Sequence, residues 1–197
     1  MNFDDLKHLF GLTFRDPDGA AGLLMRSGIP MPARWMALLI AVSISAIVSA
    51  LSAQIFAAPE GEPQTILAIT SQPLAMAGLQ LGAIVVASAL MAGVGRMFGG
   101  EGRFEDALLL TIWIEVVLLV VQLGQVVLSF VSPQLAGIVG LAAIVLFLWL
   151  TVRFTKTLHG FDSAFKVFLG LIGTAFVVGF ALSFLAAAFG LMPDLTP

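Results

Sequence analysis

Long apolar runs alternate with short polar segments along the whole chain, and five of these runs are long enough to cross a membrane. A hydrocarbon core of about 30 Å needs about 20 apolar residues in helical form. The runs predict membrane-spanning helices over residues 34–57, 72–97, 105–130, 133–153 and 164–189. We therefore expect an all-α integral membrane bundle of five transmembrane helices. Residues 34–197 would form this single membrane domain, preceded by a cytoplasmic amphipathic segment at residues 1–33.

The N-terminal segment contains two shorter helical patterns. The first predicts an amphipathic helix over residues 2–14, because apolar side chains recur there at spacings of three and four. These side chains are Phe3, Leu6, Leu9, Phe10 and Phe14. Asp16 followed by Pro17 predicts the start of a second helix, since an acceptor side chain caps a helix and proline suits its first position. Both helices either lie on the membrane surface or pack against the cytoplasmic ends of the spans.

The basic residues indicate how the spans are oriented. All nine Lys and Arg residues fall in three of the six segments between or beside the apolar runs: four before the first run, two between the second and third, and three between the fourth and fifth. Basic residues near membrane spans are retained on the cytoplasmic side. The pattern predicts a multi-pass protein of the cytoplasmic (inner) membrane, with the N-terminus inside and the C-terminus outside.

Composition excludes several classes of function. Apolar residues make up 59% of the chain and charged residues only 11%, against about 25% charged in a soluble domain, which indicates an integral membrane protein. Five spans of about 20 residues each take up most of the 197 residues, so little chain is left for a soluble catalytic domain. The absence of cysteine excludes disulfides and thiol chemistry. A net charge of −3 gives no reason to expect nucleic acid. We expect no cofactor, no metal and no enzymatic activity. The expected partners are membrane lipids, other membrane proteins or further copies in a homo-oligomer.

Glu115 is the one charged residue well inside a predicted span. At about 1.5 Å per helical residue it lies about 12–15 Å below the cytoplasmic edge, and an ionisable residue at such depth is by default a candidate functional site. Thr111 and Gln122 share its helical face. Hydrogen-bonding partners at similar depth on other spans are Ser45, Ser88 and Thr174. With no Lys or Arg at that depth, we expect Glu115 to be neutral at pH 7.

Two interpretations of this intramembrane polar site compete. A proton or ion pathway usually brings several ionisable groups or a broken helix to the membrane centre, and this chain offers one carboxyl group there. A structural role needs only a neutral carboxyl group that ties helices together, worth about 1 kcal/mol per hydrogen bond. The sequence favours the structural role.

Two predicted cytoplasmic loops are candidate contact sites. Residues 96–107 contain a glycine turn followed by acidic residues that suit a helix start, and the turn lacks the Lys-Ser/Thr pair of a phosphate loop. We interpret residues 156–163 as a solvated loop in which Asp162 or Ser163 caps the last helix. The candidate contact residues of the two loops are Gly99, Gly100, Arg103, His159, Gly160 and Asp162.

Three segments resemble motifs of the YIP family, the Ypt/Rab-interacting multispan membrane proteins, in its bacterial branch. Asp16-Pro17 resembles the start of the family's amphipathic N-terminal helix. Residues 98–104 (Phe-Gly-Gly-Glu-Gly-Arg-Phe) resemble its glycine-rich turn, and residues 159–164 (His-Gly-Phe-Asp-Ser-Ala) resemble its turn before the last span. The resemblance covers most of the chain and implies a five-span membrane protein.

The resemblance does not extend to the trafficking function of the eukaryotic relatives. Those relatives are associated with Rab-type GTPases and carry an Asp-Leu-Tyr-Gly-Pro-like motif, whereas this chain has no tyrosine. Our first hypothesis is a non-enzymatic scaffold, adaptor or membrane organiser that works through its cytoplasmic loops. The alternative is a small transporter or channel with a polar path through Glu115, although an odd number of spans without an internal repeat weakens it. A wet cavity that reaches Glu115 would favour transport, and a packed interior would favour the scaffold.

Overall fold

The computed structural model describes residues 3–56 and 72–188, and all the regular structure in these residues is helical. The helices are α1 (Phe3–Arg15), α2 (Pro17–Arg26), α3 (Met31–Ile55), α4 (Pro73–Met97), α5 (Phe104–Ser129), α6 (Pro133–His159) and α7 (Ala164–Ala188). The prediction of an all-α bundle is confirmed. The predicted span ends at residues 57 and 189 lie outside the described residues.

Five of these helices, α3 to α7, are long and apolar enough to cross a membrane. Each candidate span has 22–27 residues and a mean hydropathy of 2.0–2.6, which is the length and composition that a hydrocarbon core requires. Much of the surface of α7 consists of exposed large apolar side chains such as Phe176 and Phe180, both 76% exposed. Such a continuous apolar surface suits contact with lipid chains rather than water.

Helix α6 is six residues longer than the predicted span, which ended at residue 153. It continues to His159, and Gly160 ends it in the left-handed conformation at φ 67°, which glycine adopts without strain. The basic residues Arg153 and Lys156 stay helical because both pair with Asp18 on α2. Their polarity therefore marks a contact with another helix and not the end of α6.

Helix α1 packs against the bundle. Leu9 is 2% exposed and Thr13 is fully buried, and the indole Nε1 of Trp113 on α5 donates a hydrogen bond to Thr13 Oγ1 at 2.9 Å. Other members of the apolar stripe, Leu6 and Phe14, are 40% and 43% exposed. The sequence left two positions open for this segment, on the membrane surface or against the ends of the spans. The contacts of Leu9 and Thr13 are those of a helix that packs against the ends of the spans.

Helix α2 begins as its sequence predicts. The Asp16 carboxylate accepts a hydrogen bond from the Gly19 N–H at 3.0 Å, and Pro17 occupies the first helical position, where its missing N–H costs nothing. Ala20 and Ala21 are fully buried, because α2 packs on α6 and also touches α5. The small side chains allow the close approach between helices.

Most of the packed core lies in one half of the bundle. We call the end formed by α1, α2, the α4–α5 loop and the α6–α7 turn the basic end, since all nine Lys and Arg residues lie there. Helix α5 is central and contacts α2, α3, α4 and α6. One packed layer in this half includes Leu110, Leu150 and Phe154, all with 0% exposure. Leu108, also with 0% exposure, belongs to a second cluster with residues of α3 and α4. Beyond Val117 no residue of α5 is buried, so packing loosens toward the opposite end.

Candidate functional site

His159 organises the basic end from the last residue of α6. Its side chain is buried, with 5% exposure. Nδ1 accepts a hydrogen bond from the backbone N–H of Gly102 at 3.0 Å, and Nε2 lies 2.9 Å from the carbonyl oxygen of Met91 on α4. This pair of partners fits a neutral ring that carries its proton on Nε2. One imidazole thereby joins α6, α4 and the α4–α5 loop.

Glycines surround this ring because no other residue leaves space for it. A Cβ atom on Gly95, Gly100 or Gly102 would overlap atoms of the His159 imidazole. Gly99 serves the turn itself, since its φ of 86° lies in the left-handed region that side chains disfavour. The glycine-rich turn and the His-Gly turn, which lie far apart in the sequence, are therefore two halves of one packed contact.

This packing divides the candidate loop residues into two groups. Gly99, Gly160 and Asp162 are exposed, as is Arg103, whose side chain is 72% exposed and lies 3.5 Å from the Glu105 carboxylate. His159 is buried and Gly100 is partly buried against it. The interpretation of residues 156–163 as a solvated loop is wrong for His159, because its two ring nitrogens find backbone partners inside the fold.

The predicted cap of the last helix is formed by Ser163. Its hydroxyl accepts a hydrogen bond from the Lys166 N–H at 3.3 Å, which satisfies one of the free N–H groups at the start of α7. Asp162, the other residue that the sequence offered for this role, is exposed and lies beside the cavity between α4, α6 and α7.

Arg34 makes a second polar contact that the sequence did not predict. The guanidinium is 9% exposed. Its Nε donates to the Ile29 carbonyl oxygen at 2.9 Å, and its Nη1 donates to the Glu105 carbonyl oxygen and to the Asp106 carboxylate at 3.3 Å. Arg34 thus joins the first turn of α3 to the first turn of α5. The signal in the sequence is an arginine at the start of one span and the acidic pair Glu105-Asp106 at the start of another.

Asp18 makes a third polar contact between α2 and α6. Its Oδ2 accepts from Arg153 Nη2 at 2.9 Å and from Lys156 Nζ at 3.1 Å. The carboxylate is 27% exposed, so it is partly screened from water. Together with His159 and Arg34, Asp18 holds the ends of α2 to α6 in one arrangement.

The intramembrane polar site is a network that joins three spans. Gln80 on α4 donates from Nε2 to Glu115 Oε1 at 2.6 Å and lies 3.2 Å from Ser45 Oγ on α3. The Ser45 hydroxyl donates to Gln122 Oε1 at 3.0 Å. The structure therefore brings Ser45, Glu115 and Gln122 together, as the sequence suggested. Gln80 is the member that the sequence did not predict, because backbone depth does not reveal that its long side chain reaches residues at other depths.

The other three predicted members do not join this network. Ser88, Thr111 and Thr174 each donate to the backbone carbonyl four residues earlier on their own helix, at 2.7–2.8 Å, which is a common way to satisfy a hydroxyl inside a helix. Thr111 and Thr174 instead line the cavity between α4, α6 and α7. The expected hydrogen bond from Glu115 to Ser88 or Thr174 is replaced by the one from Gln80.

A cavity of about 560 Å³ reaches Glu115. Its polar lining comes mainly from the network and from Gln125, and the rest is apolar, including Phe147 of α6. In the part of the chain that the structure describes, no Lys or Arg forms an ion pair with Glu115. The neutral state of this carboxyl group stays a prediction.

A larger cavity of about 870 Å³ lies between α4, α6 and α7. Most of its lining is apolar, and polar side chains gather where it meets the basic end, at Asp162, Ser163 and Lys166. Phe147 lines both cavities. Among residues 3–56 and 72–188 there is no group of three His, Asp or Glu side chains that could hold a metal ion.

Five apolar helices, joined at one end by buried polar contacts, define a multispan helical membrane protein. A family model described as the Yip1 domain matches residues 11–190. The chain therefore belongs to the Yip1 family, and the resemblance to YIP proteins in the sequence is confirmed. The match runs from within α1 to the end of α7, so it includes the glycine-rich turn and the His-Gly turn. A search of curated proteins and a search of solved structures each found no match.

Proposed function

We propose that the protein is a non-enzymatic scaffold or adaptor of the cytoplasmic membrane, which offers its basic end to other membrane components. The observation that carries this proposal is the packed layer of that half, where Leu110, Leu150 and Phe154 have no exposed surface. A solute that moved along the bundle axis would have to cross this layer. The same packing keeps the loops at the basic end in a fixed shape, which suits a contact surface.

The α4–α5 loop supplies an apolar contact surface on this rigid base. Met97 and Phe98 are 84% and 71% exposed. The backbone beside them is held by a hydrogen bond from the Gly100 N–H to the Gly95 carbonyl oxygen at 3.0 Å and by the Gly102 contact with His159. A preformed surface loses little conformational entropy when a partner binds. We call Met97 and Phe98 the loop knob.

Site-specific photocrosslinking tests the scaffold. A benzophenone side chain at position 98, in the native membrane, is expected to capture a small number of discrete proteins, because the loop knob would contact a partner. Phe180 provides the matched control, since it is 76% exposed in the middle of α7 and would contact lipid. The protein adducts at position 98 should disappear when Met97 is also changed to Ser. Equal protein adducts at positions 98 and 180, or none at position 98, would contradict the scaffold.

A second candidate function is transport, because the cavity that we named as the distinguishing feature does reach Glu115. A route through this cavity would approach the carboxyl group from beside α4 and α6 and not along the packed axis. The network around Glu115 has a single ionisable member, and its other groups are amides and hydroxyls. This composition agrees better with a structural role, so transport ranks second.

Substitutions of Glu115 separate the two functions. If the role is structural, Glu115→Gln should leave the unfolding midpoint in detergent nearly unchanged, because the amide can still pair with Gln80. Glu115→Leu should lower the free energy of unfolding by about 1 kcal/mol for the lost interhelical hydrogen bond. If the protein transports protons, Glu115→Gln should abolish flux in proteoliposomes while the fold is retained. Glu101→Gln, a change at an exposed loop residue, is the control for removing a carboxylate.

A further inference from the structure

The second cavity is a groove that runs along α7. Helix α7 packs chiefly against α6, so its face toward α4 leaves the space of about 870 Å³, which lies within the range of ligand pockets, about 300–1,000 Å³. Leu169 lines the groove and is 53% exposed, so the space is open to the surroundings of the bundle. We call it the α4–α7 groove.

The groove has the length of one lipid leaflet. Its lining on α7 extends from Lys166 at the basic end to Val178, which is about 18 Å at 1.5 Å per residue. Half of a typical hydrocarbon core is about 15 Å. An acyl chain that entered from the leaflet at the basic end could therefore lie along the whole groove, with its headgroup beside Lys166.

The rim of the groove carries one charge of each sign. Lys166 and Asp162 both line it, both are exposed, and neither forms a salt bridge within the residues that the structure describes. The neighbouring Ser163 hydroxyl adds a hydrogen-bonding group. A purely anionic headgroup would pair with Lys166 but meet repulsion from Asp162. A headgroup with a phosphate and a protonated amine matches both charges.

We propose that the α4–α7 groove binds a single aminophospholipid from the leaflet at the basic end. The phosphate pairs with Lys166, the ammonium group donates to the Asp162 carboxylate, and one acyl chain fills the apolar length toward Val178. Basic residues between transmembrane helices commonly bind phospholipid headgroups, and Asp162 supplies the selectivity for an amine. This proposal does not rest on the scaffold proposal, because the headgroup contacts are those of Lys166 and Asp162, although Phe98 of the loop knob also lines the groove.

Lipid titration of the purified full-length chain in detergent tests the headgroup. Phosphatidylethanolamine, phosphatidylcholine and phosphatidylglycerol with identical acyl chains are added, and bound lipid is measured by native mass spectrometry together with the shift in unfolding midpoint. We expect one phosphatidylethanolamine to bind about tenfold more tightly than either other lipid, as one additional charge-assisted hydrogen bond would give. Equal binding of all three lipids, or preference for phosphatidylglycerol, would overturn the proposal.

Rim variants test the two charges separately. Lys166→Gln should weaken phosphatidylethanolamine and phosphatidylglycerol alike, because both carry the phosphate. Asp162→Asn should weaken phosphatidylethanolamine and strengthen phosphatidylglycerol, because it removes both the amine acceptor and the repulsion. Lys7→Gln, at an exposed residue of α1, is the charge-matched control and should change nothing. If Asp162→Asn leaves the lipid preference as it was, the amine contact is wrong.

Filling the groove tests the position of the acyl chain. Gly170 lines the groove and has open space where a side chain would project, so Gly170→Leu should fold and should abolish tight lipid binding. Gly173→Leu is the matched control, because Gly173 lies on the same helix, has equally open space and is absent from the groove lining. Unchanged lipid binding in Gly170→Leu would overturn the proposal. The proposal would also be overturned if the unchanged protein forms a dimer and Gly170→Leu dissociates it, since a second copy of the chain would then occupy the groove.

Discussion

Replacing Gly95 with alanine should destabilise the bundle strongly, although the change adds a single methyl group. The new Cβ would overlap the His159 imidazole, and the ring cannot move away without losing its hydrogen bonds to Gly102 and Met91. Overpacking of this kind costs about 1–3 kcal/mol, and each buried partner left unpaired adds about 1–3 kcal/mol. Thermal or chemical unfolding in detergent measures the loss.

Gly93 provides the matched control for this prediction. It lies on the same helix and has open space where a Cβ atom would project, so Gly93→Ala should be neutral or slightly stabilising. In a double-mutant cycle, His159→Ala should reduce the effect of Gly95→Ala, because the overlapping ring is then absent. The interpretation fails if Gly93→Ala and Gly95→Ala are equally destabilising, or if the two effects in the cycle simply add.

Replacing Arg34 with methionine should have the second large effect. The change keeps an apolar side chain of similar length but removes the donors that satisfy the carbonyl oxygens of Ile29 and Glu105 and that pair with Asp106. Breaking a buried ion pair by removing one partner costs about 3–5 kcal/mol. Because the Asp106 carboxylate is 24% exposed, water can partly solvate it, and the loss in free energy of unfolding should lie near the lower end of that range.

Three companion variants determine whether the loss comes from this contact. Arg34→Lys should recover part of the stability, since an ammonium group can pair with Asp106 but cannot reach the same set of oxygens. Combining Arg34→Met with Asp106→Asn should cost less than the two single changes together, because no carboxylate is then left unpaired. Arg96→Met is the control, as Arg96 is exposed and its side chain donates to Ala92 on its own helix. An equal loss in Arg96→Met would contradict the prediction.

The sequence by itself determined the class of fold and the positions of the helices. Membrane spans depend on runs of about 20 apolar residues, which are local properties. The spans predicted over residues 72–97 and 105–130 begin and end within one residue of α4 and α5. The start of α2 was also predictable, because the cap and the proline act within one turn. The family resemblance rested on short motifs whose order along the chain is visible without coordinates.

Only the tertiary structure decided which polar residues meet. The predicted end of α6 at residue 153 is wrong, because Arg153 and Lys156 pair with Asp18, about 140 positions earlier. No local pattern reveals such a partner. Gln80 entered the Glu115 network through the rotation of α4 and the reach of its side chain, which periodicity does not specify.

His159 shows the physical reason most clearly. In the sequence it stands in a short polar stretch that suits a solvated loop. In the fold its ring fills the space that three glycines from another part of the chain leave open, and two backbone groups satisfy its nitrogens. Hydrophobicity and capping depend on neighbours along the chain, so the sequence displays them. Burial of a polar side chain depends on partners that only the packed helices bring within hydrogen-bonding distance.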